Sequence, residues 1–202
     1  MLNSVILAVE DELSQVISTK ILESFGIEVR VVLGNNGNGY LRKKSPELNR
    51  SARRLDIFLL TDLDSPEGCP LELIRSWIKR PLNPRFLFRV AIVEVESWLM
   101  ADREAVAEFL SIPINRIPPS TDSIPEPKEF LVSLAQGSKK RKLREELVPK
   151  PGAKIPVGYG YNTRLSQFVR DHWDLERAAS VSPSLKRTLD RISQGRNAST
   201  NQ

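Results

Sequence analysis

The sequence predicts an α/β protein: a mainly parallel central sheet flanked by helices, followed by a helical C-terminal extension. Three observations carry that prediction. Residues 55–60 are apolar at every position but Asp56, too many for a strand with one wet face, so the run reads as buried on both sides. The start of the chain reads strand, helix, strand, for which a right-handed parallel crossover is the default. And three strand-like runs end in acids: Glu10, then Asp62 and Asp64, then Glu94 and Glu96.

Taken in order, residues 4–9 (Ser-Val-Ile-Leu-Ala-Val) form the first strand, stopped by Glu10-Asp11-Glu12. Leu13, Val16, Ile17, Ile21 and Phe25 then recur at helical spacing, with Gly26 in the usual stop position. Residues 27–33 alternate as a second strand. The glycine-rich stretch 34–39 matches no phosphate-loop spacing and reads as a connector rather than a phosphate cradle. Residues 40–54 are a basic, polar helix leading into the strand 55–60. Alternation along an extended chain would set Asp62 and Asp64 on one face, aimed at one point. Asp64-Ser65-Pro66 with Gly68 is equally a set of turn residues. Pro70 opens a helix through about residue 79, which Pro81 and Pro84 end. Residues 86–93 form a fourth strand, 97–101 a short helix, and 103–110 another. Asp102 is either the cap of that last helix or a member of the acidic site.

From 111 to 127 the chain is proline-rich and without period, a loop or linker. Residues 137–154 hold Lys139, Lys140, Arg141, Lys142, Arg144, Lys150 and Lys154 against Glu145 and Glu146. Seven minus two is +5, equal to the net charge of the whole chain. Such a run is a solvated face or a contact for a polyanion. Two helical patterns follow within 161–192, and the polar tail from 195 is expected to be disordered. The predicted organisation is therefore a core at 1–110, an extension at 111–195 packed on it, and a disordered tail at 196–202.

Length and composition place the chain among soluble globular proteins: 202 residues, 40% hydrophobic and 27% charged. The short apolar start runs straight into acids and lacks a basic leader, and no apolar run reaches the roughly 20 residues of a membrane span, so a cytoplasmic location without membrane contact is expected. One cysteine, Cys69, excludes an internal disulfide or thiolate cluster. One histidine, His172, leaves little room for His-ligated zinc. Chemistry here falls to carboxylates and lysines, and clustered carboxylates select a hard cation, Mg²⁺ or Mn²⁺.

With Val9-Glu10, Thr61-Asp62-Leu63-Asp64-Ser65 and 94–102 (Glu-Val-Glu-Ser-Trp-Leu-Met-Ala-Asp) in place, the chain resembles the TOPRIM superfamily. That is the metal-binding fold of topoisomerases, DnaG-type primases and overcoming-lysogenization-defect (OLD) nucleases. Over nearly its full length it is similar to a small stand-alone TOPRIM-like bacterial family, including Gly160-Tyr161-Asn162 and residues 182–185 (Ser-Pro-Ser-Leu). It departs from the superfamily at Asp11, where glycine is usual. The resemblance implies a TOPRIM-like Rossmannoid core and metal-dependent phosphodiester hydrolysis. It implies Glu10 as base or metal ligand and Asp62 and Asp64 as principal ligands. Glu96, with Glu94 and Asp102, would hold a second Mg²⁺ or Mn²⁺ ion. Lys128 or a lysine of the basic segment would stabilise the pentacovalent charge. It also implies an ATPase partner and a part in anti-phage defence. Lys139, Lys140, Arg141, Lys142, Arg144 and Lys154 are the expected nucleic-acid contacts, with DNA favoured over RNA.

Two rival readings remain. One is a non-catalytic binding subunit that keeps the fold. The other is a response-regulator receiver, suggested by Val9-Glu10-Asp11-Glu12 and by residues 56–62. Against the receiver stand Glu94-Val95-Glu96 where a receiver has Ser or Thr, and the long C-terminal stretch.

Overall fold

The structure, a computed structural model, describes residues 2–34, 36–65 and 67–198. Four strands, β1 (Ser4–Val9), β2 (Glu28–Gly34), β3 (Ile57–Asp62) and β4 (Phe86–Ala91), form an all-parallel sheet in the order β2–β1–β3–β4. The architecture is α/β, consistent with a Rossmann-like fold. Among the described residues ten α-helices accompany it. Five lie in the first half: α1 (Glu12–Ser24), α2 (Asn38–Ser51), α3 (Pro70–Trp77), α4 (Glu96–Ala101) and α5 (Arg103–Leu110). Five follow: α6 (Pro127–Gln136), α7 (Arg141–Leu147), α8 (Tyr161–Asp171), α9 (Leu175–Val181) and α10 (Pro183–Ala198). None is long and apolar enough to cross a membrane.

The period of two explains the layering. Val5, Leu7 and Val9 of β1, with Phe58 and Leu60 of β3, join the larger core, which also takes Trp98, Leu131, Leu147, Phe168 and Leu185. Ala8, Ile57 and Leu59 face the opposite way into a smaller core with Leu41, Leu48 and Trp77. Alternate side chains thus enter separate cores, which is why β3 is buried along its whole length. In α2, Pro46 lacks the N–H that would reach Arg42, and the Ser45 hydroxyl donates to the Arg42 carbonyl instead (3.1 Å).

The helical extension differs from the sequence expectation in three places. Residues 127–136 form a full helix, α6, opened by Pro127 at its first turn; the preceding prolines conceal its pattern. Two patterns within 161–192 prove to be three helices, because Asp174 accepts the Arg177 N–H (2.9 Å) and starts the short α9. Helix α10 continues through the residues expected to begin the tail, ending at Ala198; residues 199–202 lie outside the described ones. The Ser182-Pro183-Ser184-Leu185 stretch is a joint. Asp122 accepts from the Ser182 hydroxyl (2.6 Å) and the Ser184 N–H (2.9 Å), and the Trp98 indole donates to the Ser184 hydroxyl (2.6 Å).

At the end of β2, Gly34 pairs with Val9 at φ +123°, and a Cβ there would sit 1.8 Å from the Val9 carbonyl oxygen. The glycine fixes the backbone just before Glu10. Left-handed strain costs about 1–3 kcal/mol even without a clash. Gly34→Ala is therefore expected to destabilise the fold by about 2 kcal/mol or more in urea unfolding, whereas Gly37→Ala, with open space around its Cβ, should cost less.

Candidate functional site

Three of the four strands, β1, β3 and β4, deliver acids at their ends. Glu10 follows β1, Asp62 closes β3, and Glu94 and Glu96 follow β4, with Glu96 opening the wholly buried α4. Because β1 and β3 are neighbours, Glu10 reaches the end of β3: its Oε1 accepts from the Thr61 hydroxyl and from the Asp62 N–H (2.9 Å). Asp62 is 8% exposed, and its Oδ1 accepts the Val95 N–H (3.0 Å). Glu96 is 1% exposed; its Oε1 accepts the Tyr161 hydroxyl (3.1 Å), and its Oε2 has no hydrogen-bond partner.

Lys128, in the first turn of α6, reaches into this group. Its ammonium lies 3.2 Å from Glu94 Oε1 and 3.6 Å from Glu96 Oε1, and its backbone N–H donates to Glu94 Oε2 (2.8 Å). Glu94 thus caps α6 from a distance while holding its lysine. Asp64, Val93, Glu94 and Lys128 line a cleft of about 330 Å³ that opens beside the cluster.

Burial dominates the electrostatics. It pushes Asp62 well above the usual carboxylate range, with Glu96 and Glu10 adding repulsion and Lys128 opposing. Burial raises Glu96 to about 7, against the pull of Lys128 and with Glu94 adding to the rise. Glu10 is raised by burial, although its bonds from Thr61 and the Asp62 N–H pull the other way. For Lys128 burial works downward, but Glu96, Glu94 and Asp62 outweigh it and the ammonium is held above its ordinary range. The Tyr161 hydroxyl is pushed up by burial and then by Glu96.

Asp64 departs from the expected geometry. Its φ is +54°, so the extended run ends at Asp62 and the two aspartates do not share a strand face. Leu63 N–H and Asp64 N–H both donate to the Val93 carbonyl (3.1 and 3.0 Å), and Val93 is itself left-handed at φ +60°, rare for a β-branched residue. Asp64 is exposed and accepts from the Asn38 side chain at the start of α2 (3.0 Å), yet it stays within electrostatic reach of Glu10. Asp11, in the place where the resemblance expects glycine, is extended (φ −147°) and caps α1 by accepting the Ser14 N–H (2.8 Å).

Of its two readings, Asp102 takes that of the helix cap, at the start of α5. Its Oδ1 accepts from Arg177 Nε (2.9 Å) and Ala105 N (3.3 Å), and its Oδ2 from Arg177 Nη2 (3.0 Å) and Asp174 N (2.7 Å). A carboxylate offers about four acceptor positions, and all are taken. Asp102 therefore ties α5 to α9 and has nothing left for a cation. The basic segment does not join the cluster either. No hydrogen bond or ion pair among the described residues links Lys139, Lys140, Arg141, Lys142, Arg144 or Lys154 to these acids. Lys140 donates to the Glu108 carbonyl (3.1 Å), Arg141 pairs with Glu145 (2.8 Å), and Arg144 donates to the Ser138 carbonyl (2.6 Å).

The acids Glu10, Asp62, Glu94 and Glu96 are brought to one end of the sheet as their sequence positions suggest. Sequence reasoning missed Tyr161 and Thr61 as partners and did not single out Lys128 from the other lysines. Tyr161 stood in a quoted motif; Lys128 lay in a helix not read as one. Compared with family profiles, with characterised proteins and with solved structures, the chain matches none.

An all-oxygen donor set suits a hard cation, and the partnerless Glu96 Oε2 beside mutually repelling carboxylates is where such a charge would be stabilising. Among the described residues no three acid, histidine or cysteine side chains are already gathered at ligand spacing.

Two predictions follow from this geometry. Between pH 4.5, the ordinary value, and about 7, folded Glu96 keeps a proton that the unfolded chain has lost. Its contribution to stability is complete below that window and lost as pH rises through about 7. In EDTA the melting temperature of the parent should fall between about pH 5 and about pH 8, and Glu96→Gln should remove part of that fall; parallel curves would refute the assignment. Asp102→Ala strands two backbone N–H groups and should cost about 2 kcal/mol or more with or without added Mg²⁺. A loss of stability seen only when Mg²⁺ is present would return Asp102 to the metal site.

Proposed function

We propose that this chain is a TOPRIM-like nuclease that hydrolyses phosphodiester bonds of nucleic acid with a divalent cation, as the nuclease subunit of an ATPase-coupled anti-phage system. The observation that carries the chemistry is the set of buried Asp62 and Glu96 with half-buried Glu10, gathered at the carboxyl ends of adjacent parallel strands where Glu96 and Glu10 repel Asp62. Ligands of open α/β sheets bind at that end. The ATPase partner, the defence role and the preference for DNA come with the TOPRIM resemblance.

In this reading Glu10, Asp62 and Asp64 hold a Mg²⁺ or Mn²⁺ ion, with Glu96 Oε2 available to it. Such an ion would supply Lewis-acid charge to a phosphate group and make water a better nucleophile. Glu10 has a raised proton affinity, and the hydrogen bonds it accepts from Thr61 and the Asp62 N–H both fall on Oε1, which suits its other oxygen to accept the proton of the attacking water. Water oxygen bonds to phosphorus, and the bond from phosphorus to the leaving sugar oxygen breaks. Lys128 places a fixed positive charge beside the developing charge.

Lys128 also bears on metal count. It already neutralises Glu94 and Glu96, the pair expected to hold a second ion, so the two-ion arrangement requires the ammonium to move aside. The same observation favours the second reading, a binding subunit in which Lys128 permanently substitutes for the cation.

Isosteric variants keep the acceptors that Val95, Thr61 and the Asp62 N–H require. Asp62→Asn and Glu10→Gln are therefore expected to abolish Mn²⁺-dependent cleavage of DNA while melting no earlier than the parent in EDTA. Lys128→Met should raise the number of Mn²⁺ ions bound in calorimetry from one to two. A parent that binds no Mn²⁺ and cuts neither DNA nor RNA would leave only the binding-subunit reading.

A further inference from the structure

A second cleft, of about 400 Å³, opens where the start of α3 and helix α10 meet the edge strand β4. Arg89, Arg187 and Ser184 supply its polar lining, and Leu71, Ile74 and Phe88 its apolar walls. Helix α3 begins there without a side-chain cap: the Cys69 carbonyl accepts the Leu73 N–H (3.0 Å), but its side chain accepts nothing from the helix.

The charge in this cleft is unbalanced. Arg89 is half-buried in β4, and the hydrogen bond that its guanidinium makes, to the Thr188 hydroxyl, is long at 3.4 Å. Arg187 and Arg191 stand one turn apart on α10, so two like charges share a helix face. Burial lowers the proton affinity of Arg89, and Arg191 and Arg187 lower it further. None of the three forms an ion pair among the described residues, whereas Arg85, Arg164 and Arg177 each hold a carboxylate. Nearby acids do not rescue them: Asp190 of the same helix is taken by Lys186 (3.1 Å). Only Arg89 is partly withdrawn from water, since Arg187 on the cleft wall and Arg191 beyond it are exposed, and its half-buried charge without a counter-ion is costly unless an anion completes the set.

We propose that this cleft binds a phosphate ester bearing a flat or apolar group, as a nucleotide unit does. Guanidinium forks match phosphate oxygens, the uncapped start of α3 adds partial positive charge, and the apolar walls accept a base or sugar. The volume falls within the roughly 300–1,000 Å³ of small-ligand sites. Ile92 lines this cleft while Val93 and Glu94 line the acidic one, so the two openings flank one short segment. The phosphate ester is either a free nucleotide or one unit of a nucleic-acid strand.

Calorimetry in EDTA, where no cleavage takes place, separates these. The probes are AMP, adenosine and a single-stranded oligonucleotide, titrated into the parent, Arg187→Ala and Arg89→Met. AMP or the oligonucleotide should bind the parent, adenosine at least about tenfold more weakly than AMP, and each arginine variant should lose about tenfold or more. The ligand-free melting temperature of Arg187→Ala should not fall, since a repelling charge has been removed from an exposed position. AMP binding without oligonucleotide binding assigns a free nucleotide; oligonucleotide binding stronger than AMP assigns a strand. Absence of binding by both probes, equal affinity for AMP and adenosine, or unchanged affinity in Arg187→Ala would overturn the proposal. Asp62→Asn should keep this binding, so the cleft can be upheld even where the nuclease reading fails.

Discussion

The structure turns on burying two carboxylates, Asp62 and Glu96, at one end of one sheet, with a single ammonium to offset them. Carboxylates almost free of water repel each other strongly, and each must hydrogen-bond or take up a proton to remain there. The surrounding elements are arranged to supply those partners. Segment 92–95, after β4, gives the Val95 N–H to Asp62; α6 gives Lys128 to Glu94 and Glu96; α8 gives the Tyr161 hydroxyl to Glu96. The C-terminal half of the chain is thus part of the site's construction, since without α6 and α8 Glu94 and Glu96 would lose the Lys128 and Tyr161 partners.

The backbone near the acids is held in unusual conformations for the same purpose. Val93 at φ +60° turns its carbonyl onto the Leu63 and Asp64 N–H groups, and this locks the segment after β3 against the segment after β4. Left-handed β-branched residues persist where surrounding structure over-determines them, and such positions cluster at functional sites. The consequence is a division of labour between the aspartates. Asp62 is fixed and nearly dry, whereas Asp64 stands exposed at the cleft, its carboxylate accepting from Asn38.

Much of this was legible in the sequence because burial on both faces leaves a plain signature. The apolar run of β3 and the acids at the ends of three strands gave the sheet and the positions of Glu10, Asp62, Glu94 and Glu96. What stayed hidden depended on contacts far apart in sequence. Asp102 had two readings until Arg177 and Asp174 were seen to fill its oxygens. Asp64 was assigned to the face of Asp62 because alternation assumes that an extended strand continues, and the left-handed turn ended it. Helix α6 was missed because the proline-rich stretch before it masks its start, and with it went the reason to prefer Lys128 over other lysines.

The distribution of charge gives the same lesson in a sharper form. The run of lysines and arginines in 137–154 accounts arithmetically for the net charge, yet in the fold Lys140 and Arg144 bond to carbonyls and Arg141 pairs with a glutamate on its own helix. Lys139, Lys140, Arg141 and Lys142 are exposed, where water screens them. Arg89, Arg187 and Arg191 form no run and cancel in any count over the whole chain. They become conspicuous only when β4 and α10 pack together and leave Arg89 and Arg187 lining a cleft without a carboxylate, with Arg191 one turn beyond. Charge attracts a ligand most strongly where it is partly desolvated and uncompensated, not where it is most frequent. On that ground the proposed nuclease and phosphate-ester readings both rest on the acidic and arginine-lined openings on either side of residues 92–94 rather than on the frequency of charge in the basic run.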